Sequence, residues 1–193
     1  MIIFVTGATS GFGAAIVRHA VAAGHRVVAT GRRPERLEQL QRELGTQIHV
    51  IAFDVRDNAA VERAIENLPD DFAAIDVLVN NAGVGLFTAV EQTTDDDWAR
   101  VIETNLTGVF YCSRAAIPAL RQARGGWIIN IASLAGRNYF ANASAYCASK
   151  AGLVAFSEAL MLEVRNDNIR VSVVMPGSVA TDFSGPSGKH DDE

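Results

Sequence analysis

Short apolar runs recur along the chain at residues 2–5, 26–30, 48–53, 77–79, 127–131 and 170–175, separated by stretches whose apolar positions return at helical spacing. Such runs read as strands and the stretches between them as helices, for example over residues 34–44 and about 145–164. Regular alternation of the two predicts an α/β fold in which a parallel sheet is covered by helices on both faces. No internal repeat and no obvious linker interrupts the pattern, so residues 1–193 read as a single domain. Residues 184–193 are polar and rich in Gly, Pro and Ser, and they read as a flexible lid or tail.

Three local patterns carry chemistry. The first strand runs directly into Thr6-Gly7-Ala8-Thr9-Ser10-Gly11-Phe12-Gly13 and then a helix. Gly7 permits a tight turn, Gly11 lets the backbone approach a pyrophosphate, and Gly13 lets the helix pack closely on the strand. The helix amino terminus offers unpaired N–H groups to phosphate. The spacing is Gly-x-x-x-Gly-x-Gly, one departure from the commoner Gly-x-Gly-x-x-Gly. The second strand ends in Gly31-Arg32-Arg33, where an acidic residue would otherwise receive the ribose hydroxyls of NAD. Two guanidiniums there suit a 2'-phosphate, which predicts NADP(H). Third, Tyr146 and Lys150 lie four apart in a helical stretch and share a face, with Ser133 ending an earlier strand. A lysine ammonium beside a phenol favours its ionised form, so Lys150 is expected to lower the Tyr146 pKa and make it a proton-transfer group.

With Asn80-Asn-Ala-Gly83, Asn105 and Pro176-Gly177 added in the same order, the chain resembles the short-chain dehydrogenase/reductase family. The segment Thr30-Gly-Arg-Arg-Pro-Glu-Arg-Leu37 is similar to the NADP-dependent 3-hydroxy acid (serine or allo-threonine) dehydrogenases within it. The resemblance implies a Rossmann-type, doubly wound sheet of order 3-2-1-4-5-6, with ligand at the carboxyl ends of the strands. It implies Tyr146 as general acid and base, Ser133 on the reacting oxygen, Lys150 also on the nicotinamide ribose, and Asn105 anchoring a water of a proton relay. For the cofactor it implies the glycine turn, including Thr9, Ser10 and Phe12, with Asp54 and Val55 at the adenine edge. Asn81, Ala82 and Gly83 would line the adenosine side, and Pro176, Gly177, Val179 and Thr181 the carboxamide. By family length the chain ends early, so the usual last helix and strand have no sequence here and the sixth strand is expected at the sheet edge.

Composition narrows the alternatives. A net charge of −5 with dispersed arginines gives no basic stripe for nucleic acid. No apolar run approaches the ~18 residues of a membrane helix, and the first residues lack a basic leader. Cys112 and Cys147 fit free thiols in a reducing cytoplasm, and the four histidines His19, His25, His49 and His190 show no metal-ligand spacing and are expected in loops or at the surface. The 145–164 helix is apolar on more than one face, which with the resemblance implies a homodimer or homotetramer. The substrate is expected to be a small carbonyl or alcohol, and Arg137 is the candidate partner for a substrate carboxylate. Two other readings stand beside the dehydrogenase: a 3-oxoacyl thioester reductase, and a non-catalytic NADP(H)-binding sensor or scaffold.

Overall fold

The computed structural model describes residues 1–178; Val179, Thr181 and the segment 184–193 lie outside them. Its centre is a six-stranded, all-parallel sheet formed by β1 (Ile2–Val5), β2 (Arg26–Gly31), β3 (Ile48–Ala52), β4 (Val77–Asn80), β5 (Gly126–Ile131) and β6 (Ile169–Val174). The strand order is β3-β2-β1-β4-β5-β6, the doubly wound order expected. Among the described residues seven α-helices accompany it: α1 (Gly11–Ala22), α2 (Pro34–Leu44), α3 (Asn58–Glu66), α4 (Asp70–Ala73), α5 (Asp95–Ile102), α6 (Gly108–Gln122) and α7 (Ser144–Val164). A π-turn, Glu103–Thr107, joins α5 to α6 without a break.

The strands are apolar throughout because both faces are buried. Phe4, Val28, Leu78 and Ile128 point to one side, into a core closed by Val61, Phe72, Leu120 and Leu160 from the helices. Their neighbours Val5, Val27, Ala29 and Val79 point to the other side, against Val17, Val21, Leu37 and Leu40 of α1 and α2. Each fully buried Val, Leu, Ile or Phe contributes roughly 1.5–3 kcal/mol relative to exposure. The in-register pairing of β1 with β2 and β4 aligns these alternating sets across the sheet.

Five strands end or begin one residue away from the apolar runs, and at β4 the reason is physical. β4 continues to Asn80, a polar residue invisible to a hydrophobic pattern, because Asn80 pairs with Asn130 of β5. The Asn80 amide donates to Asn130 Oδ1 at 2.8 Å and to Ser113 Oγ at 3.2 Å, and the Asn130 amide donates to Ser157 Oγ at 2.7 Å. This buried polar ladder ties β4 and β5 to α6 and α7, the elements that carry the chemistry. His49 also departs from expectation: it sits in β3, half-buried against the Phe72 ring, and burial lowers its pKa.

Removing the middle rung takes an acceptor from the buried Asn80 amide and a donor from the buried Ser157 Oγ. Asn130→Ala should therefore lower unfolding free energy by about 2–4 kcal/mol, read from urea denaturation. A change within about 0.5 kcal/mol would show that the ladder does not hold these layers together.

Candidate active site

The carboxyl ends of the strands open into one cavity of about 1090 Å³, lined by the glycine loop, by the residues after β2, β3 and β4, and by Ser133, Tyr146 and Lys150. It lies at the crevice where the strand order reverses between β1 and β4. The loop is held by hydrogen bonds rather than by apolar packing. Thr6 Oγ1 accepts from the backbone N–H groups of Asn81 and Ala82, both at 3.0 Å. The Asn81 side chain in turn donates to the carbonyls of Thr6 and Gly7 at 3.0 and 3.1 Å. Asn81 thus braces the loop.

Gly7 has a φ of 66°, and a β-carbon there would come within 2.7 Å of Ala82 Cα. A β-carbon at Gly13 would lie 2.2 Å from the Gly7 carbonyl oxygen, so α1 can approach the loop only with glycine at that position. Gly31 is the same kind of residue and was not singled out from sequence: its β-carbon would meet Thr9 Cγ2 at 2.7 Å. Its place after β2 was the available signal. At α1, Ser10 makes no side-chain cap to the helix, which leaves the first N–H groups facing the cavity mouth lined by Thr9, Gly11 and Phe12.

Both arginines after β2 line the cavity. The Arg33 guanidinium spans the loop, donating to Thr9 Oγ1 at 2.7 Å and Ser10 Oγ at 3.0 Å. Arg32 is more exposed and lies 3.8 Å from Asp54. The Asp54 carboxylate is bonded by Arg56 through its backbone N–H and its guanidinium, at 3.0 and 2.8 Å. Burial would raise the Asp54 pKa, but the Arg56 hydrogen bonds and the Arg56 and Arg32 charges outweigh it and hold the carboxyl below its usual value. Val55, Ala82 and Gly83 line the same cavity, as do Pro176 and Gly177 on its β6 side, where the Pro176 carbonyl accepts from Leu134 N–H at 3.0 Å.

Ser133 follows β5, and α7 carries Tyr146 and Lys150 to it. The Ser133 hydroxyl accepts from Ala135 N–H at 3.1 Å and hydrogen-bonds the Tyr146 phenol. The expected depression of the Tyr146 pKa by Lys150 is not what the geometry gives. Lys150 Nζ is committed to the Ile131 carbonyl at 2.8 Å and stands 5.9 Å from the centre of the Tyr146 ring. Burial dominates at both groups: it raises the Tyr146 pKa in spite of the Ser133 bond, and it pushes Lys150 down to about 8.

Asn105 is tied to its neighbours by its side-chain amide. It occupies the π-turn, fully buried, and its amide is used by protein partners: Oδ1 accepts from Val84 N–H at 2.8 Å, while Nδ2 donates to the Val84 carbonyl at 2.9 Å and to Ser149 Oγ at 3.0 Å. Ser149 Oγ donates to the Tyr146 carbonyl at 2.7 Å. Its side chain therefore latches the loop after β4 to the tyrosine's helix, and Ser149, missed from sequence, completes the latch. Arg137 does not line the cavity; it is exposed and paired with Glu158 of α7 at 3.3 Å, because that carboxylate is its nearest counter-charge. Asn138 and Asn142 line the cavity instead. The left-handed backbone at Asn142, φ 60°, is one that asparagine tolerates, a hint the Asn-rich segment held. Among the described residues no group of three His, Cys, Asp or Glu side chains could hold a metal ion, and no helix is long and apolar enough to cross a membrane.

The buried lysine makes a pH prediction whose sign can be worked out. Its pKa is about 8 folded against 10.5 for the free side chain. Below pH 8 both states hold the proton; between about 8 and 10.5 the unfolded chain binds more, so stability rises with pH across that window. Cys112, pushed by burial from 9.0 to about 12, acts in the opposite direction above pH 9. The difference in unfolding free energy between the protein and Lys150→Met should consequently shift in favour of the protein by on the order of 3 kcal/mol from pH 7 to 10.5. A pH-independent difference would mean that the ammonium is not desolvated.

Known proteins share both sequence and architecture with this one. The short chain dehydrogenase family profile matches residues 1–192. The NADP-dependent 3-hydroxy acid dehydrogenase YdfG of Shigella flexneri is 42% identical over 194 residues, which span 100% of this chain and 78% of that protein. The serine 3-dehydrogenase of Agrobacterium fabrum is 42% identical over 183 residues, 94% of this chain and 73% of that protein. Among solved structures, the closed form of serine dehydrogenase complexed with NADP+ matches with a TM-score of 0.92 at 42% identity, covering 95% of this chain and 75% of that one. With a family match along nearly its whole length and relatives 42% identical over it, the chain belongs to the short-chain dehydrogenase family.

Proposed function

We propose that the protein is an NADP(H)-dependent oxidoreductase that interconverts a carbonyl and a secondary alcohol, with Tyr146 as the acid and base. The observation that carries this reading is the joining of two half-sites in one cavity: the glycine loop with Arg32 and Arg33 on the β2–β3 side, and Tyr146 with Ser133 and Lys150 on the β5–β6 side. The cradle fits a dinucleotide, since Gly7, Gly11 and the uncapped first turn of α1 line it beside Arg32 and Arg33, and the relatives named for NADP dependence support the phosphorylated form. Arg32 and Arg33, with Thr9 and Ser10 between them and the helix, would hold the 2'-phosphate. Asp54 and Val55 would face the adenine, and Ala82 and Gly83 the adenosine. Bound NADP(H) supplies the hydride chemistry.

The chain's own residues then handle the proton and the oxygen. In reduction the Tyr146 hydroxyl donates to the carbonyl oxygen as charge builds there, and in oxidation the phenolate takes the alcohol proton back. Ser133, already bonded to that phenol, shares the reacting oxygen and fixes its position. The raised pKa keeps the phenol protonated, the form the acid role uses, while the base role needs the phenolate, which a neighbouring cation favours. The half-exposed Phe110, Met161 and Leu162 on α6 and α7 support assembly into a homodimer or homotetramer, and the buried free thiols Cys112 and Cys147 suit a reducing cytoplasm.

Two measurements test the reading. Tyr146→Phe should keep NADPH affinity within about twofold and lower kcat by roughly 10²- to 10⁴-fold; turnover near that of the unaltered protein would remove Tyr146 from the chemistry. Replacing both Arg32 and Arg33 by Ser should lower the ratio of NADPH to NADH affinity by roughly 10- to 100-fold. The ratio is the right readout because Arg33 also braces the loop through Thr9 and Ser10, which affects both cofactors. An unchanged ratio would refute the 2'-phosphate assignment.

A further inference from the structure

The wall beside Tyr146 is aromatic. Phe87, from the segment after β4, meets the Tyr146 ring edge-on at 5.7 Å between centroids, and stacks on Phe140, from the segment after Ser133, at 6.1 Å with the planes 27° apart. Both phenylalanines line the cavity, yet half of each ring is exposed, so the faces that would be buried by a ligand are presented next to the phenol. Aromatic rings favour partners at such edge-on and offset separations, and a third ring placed among them would complete a cluster.

The charges nearby point the same way. A substrate carboxylate buried beside Tyr146 would need a cation with free donors. Lys150 is buried and gives one of its three donors to the Ile131 carbonyl, the rest facing the place assigned above to the nicotinamide ribose, and Arg137 is turned to Glu158 outside the cavity. Arg32 and Arg33 lie after β2, three strands from β5 in the sheet and so roughly 14 Å away across it. Among the described residues the remaining polar lining on this side is neutral, chiefly Asn138 and Asn142.

We propose that Phe87 and Phe140 form the seat for an aromatic or bulky apolar substituent on the carbonyl or alcohol carbon, so that the preferred substrate class is aryl ketones and aryl alcohols rather than free 3-hydroxy acids. This rests on Tyr146 being the reacting end of the cavity. The seat sets specificity and leaves the proton chemistry to Tyr146 and Ser133.

Binding without reaction separates the seat from catalysis. Acetophenone and acetoacetate, each titrated into the full chain with NADP+, cannot react, because both partners are oxidised. Acetophenone should bind at least about tenfold more tightly. Phe87→Ala and Phe140→Ala should each cut that preference by about 3- to 10-fold, as expected of losing one ring partner, and Phe87→Leu and Phe140→Leu by less. In parallel, oxidation of 1-phenylethanol to acetophenone, with NADP+ reduced to NADPH and one proton released, should show a higher kcat/KM than oxidation of 3-hydroxybutyrate. Tighter acetoacetate binding, equal weakening of both ligands by the Phe variants, or no measurable binding of acetophenone would overturn the seat. A binding preference for acetophenone with no turnover of 1-phenylethanol would leave the seat standing and instead defeat the oxidoreductase reading.

Discussion

The site depends on the hydrogen-bonded junction between β1 and β4. Parallel strands placed side by side leave their following loops diverging to opposite faces, which opens a crevice, but nothing in sheet geometry by itself holds the crevice edges in a defined place. Here Asn81 donates two hydrogen bonds to Thr6 across that gap, and its amide also holds the Gly7 carbonyl. With Gly7 left-handed and Gly13 pressed on its carbonyl, the loop has one shape, and the first turn of α1 is aimed by it. The cavity mouth, the bracing Arg33 and the bed for a dinucleotide all follow from this junction.

On the other side of the crevice, buried polar groups perform the equivalent task. The latch from Val84 through Asn105 and Ser149 to the Tyr146 carbonyl fixes the tyrosine's helix against the loop after β4, and the Asn80, Asn130 and Ser157 ladder fixes that helix against the sheet. Such networks gain little net stability per bond, yet each broken member strands a buried partner, so they specify position strongly. Tyr146 and Lys150 are thereby kept in a place where water is scarce. Desolvation then sets their proton affinities more than their attraction for each other, which holds both nearer to their neutral forms.

The two sides of the cavity consequently differ in character. Beyond β2 and β3 the lining is charged, with Arg32 and Arg33 near Asp54 and its partner Arg56. Beyond β5, next to Tyr146, it is aromatic, with buried Lys150 its charged group among the described residues. This polarity matches one long ligand that is anionic at one end and a small reactant that is uncharged at the other, and a single sheet order separates the two.

Much of this was legible in the sequence because it depends on local rules. Six apolar runs marked the strands, since a strand buried on both faces must be apolar along its length, and their alternation with helical periods forced the parallel order. The glycines were legible for the same reason: a left-handed turn and a close approach permit no other residue. Tyr146 and Lys150 could be paired by spacing, but spacing says only that two side chains share a helix face. Whether Lys150 would act on the phenol was decided by burial, which dominates at both groups, and one of its donors goes to the Ile131 carbonyl, 19 residues distant. Arg137 was likewise decided by Glu158, and Asn105 by Val84 and Ser149. Periodicity and turn chemistry act between neighbours in the chain and can be read along it, whereas desolvation and the choice of hydrogen-bond partner are settled by whichever groups the completed fold brings within about 3 Å.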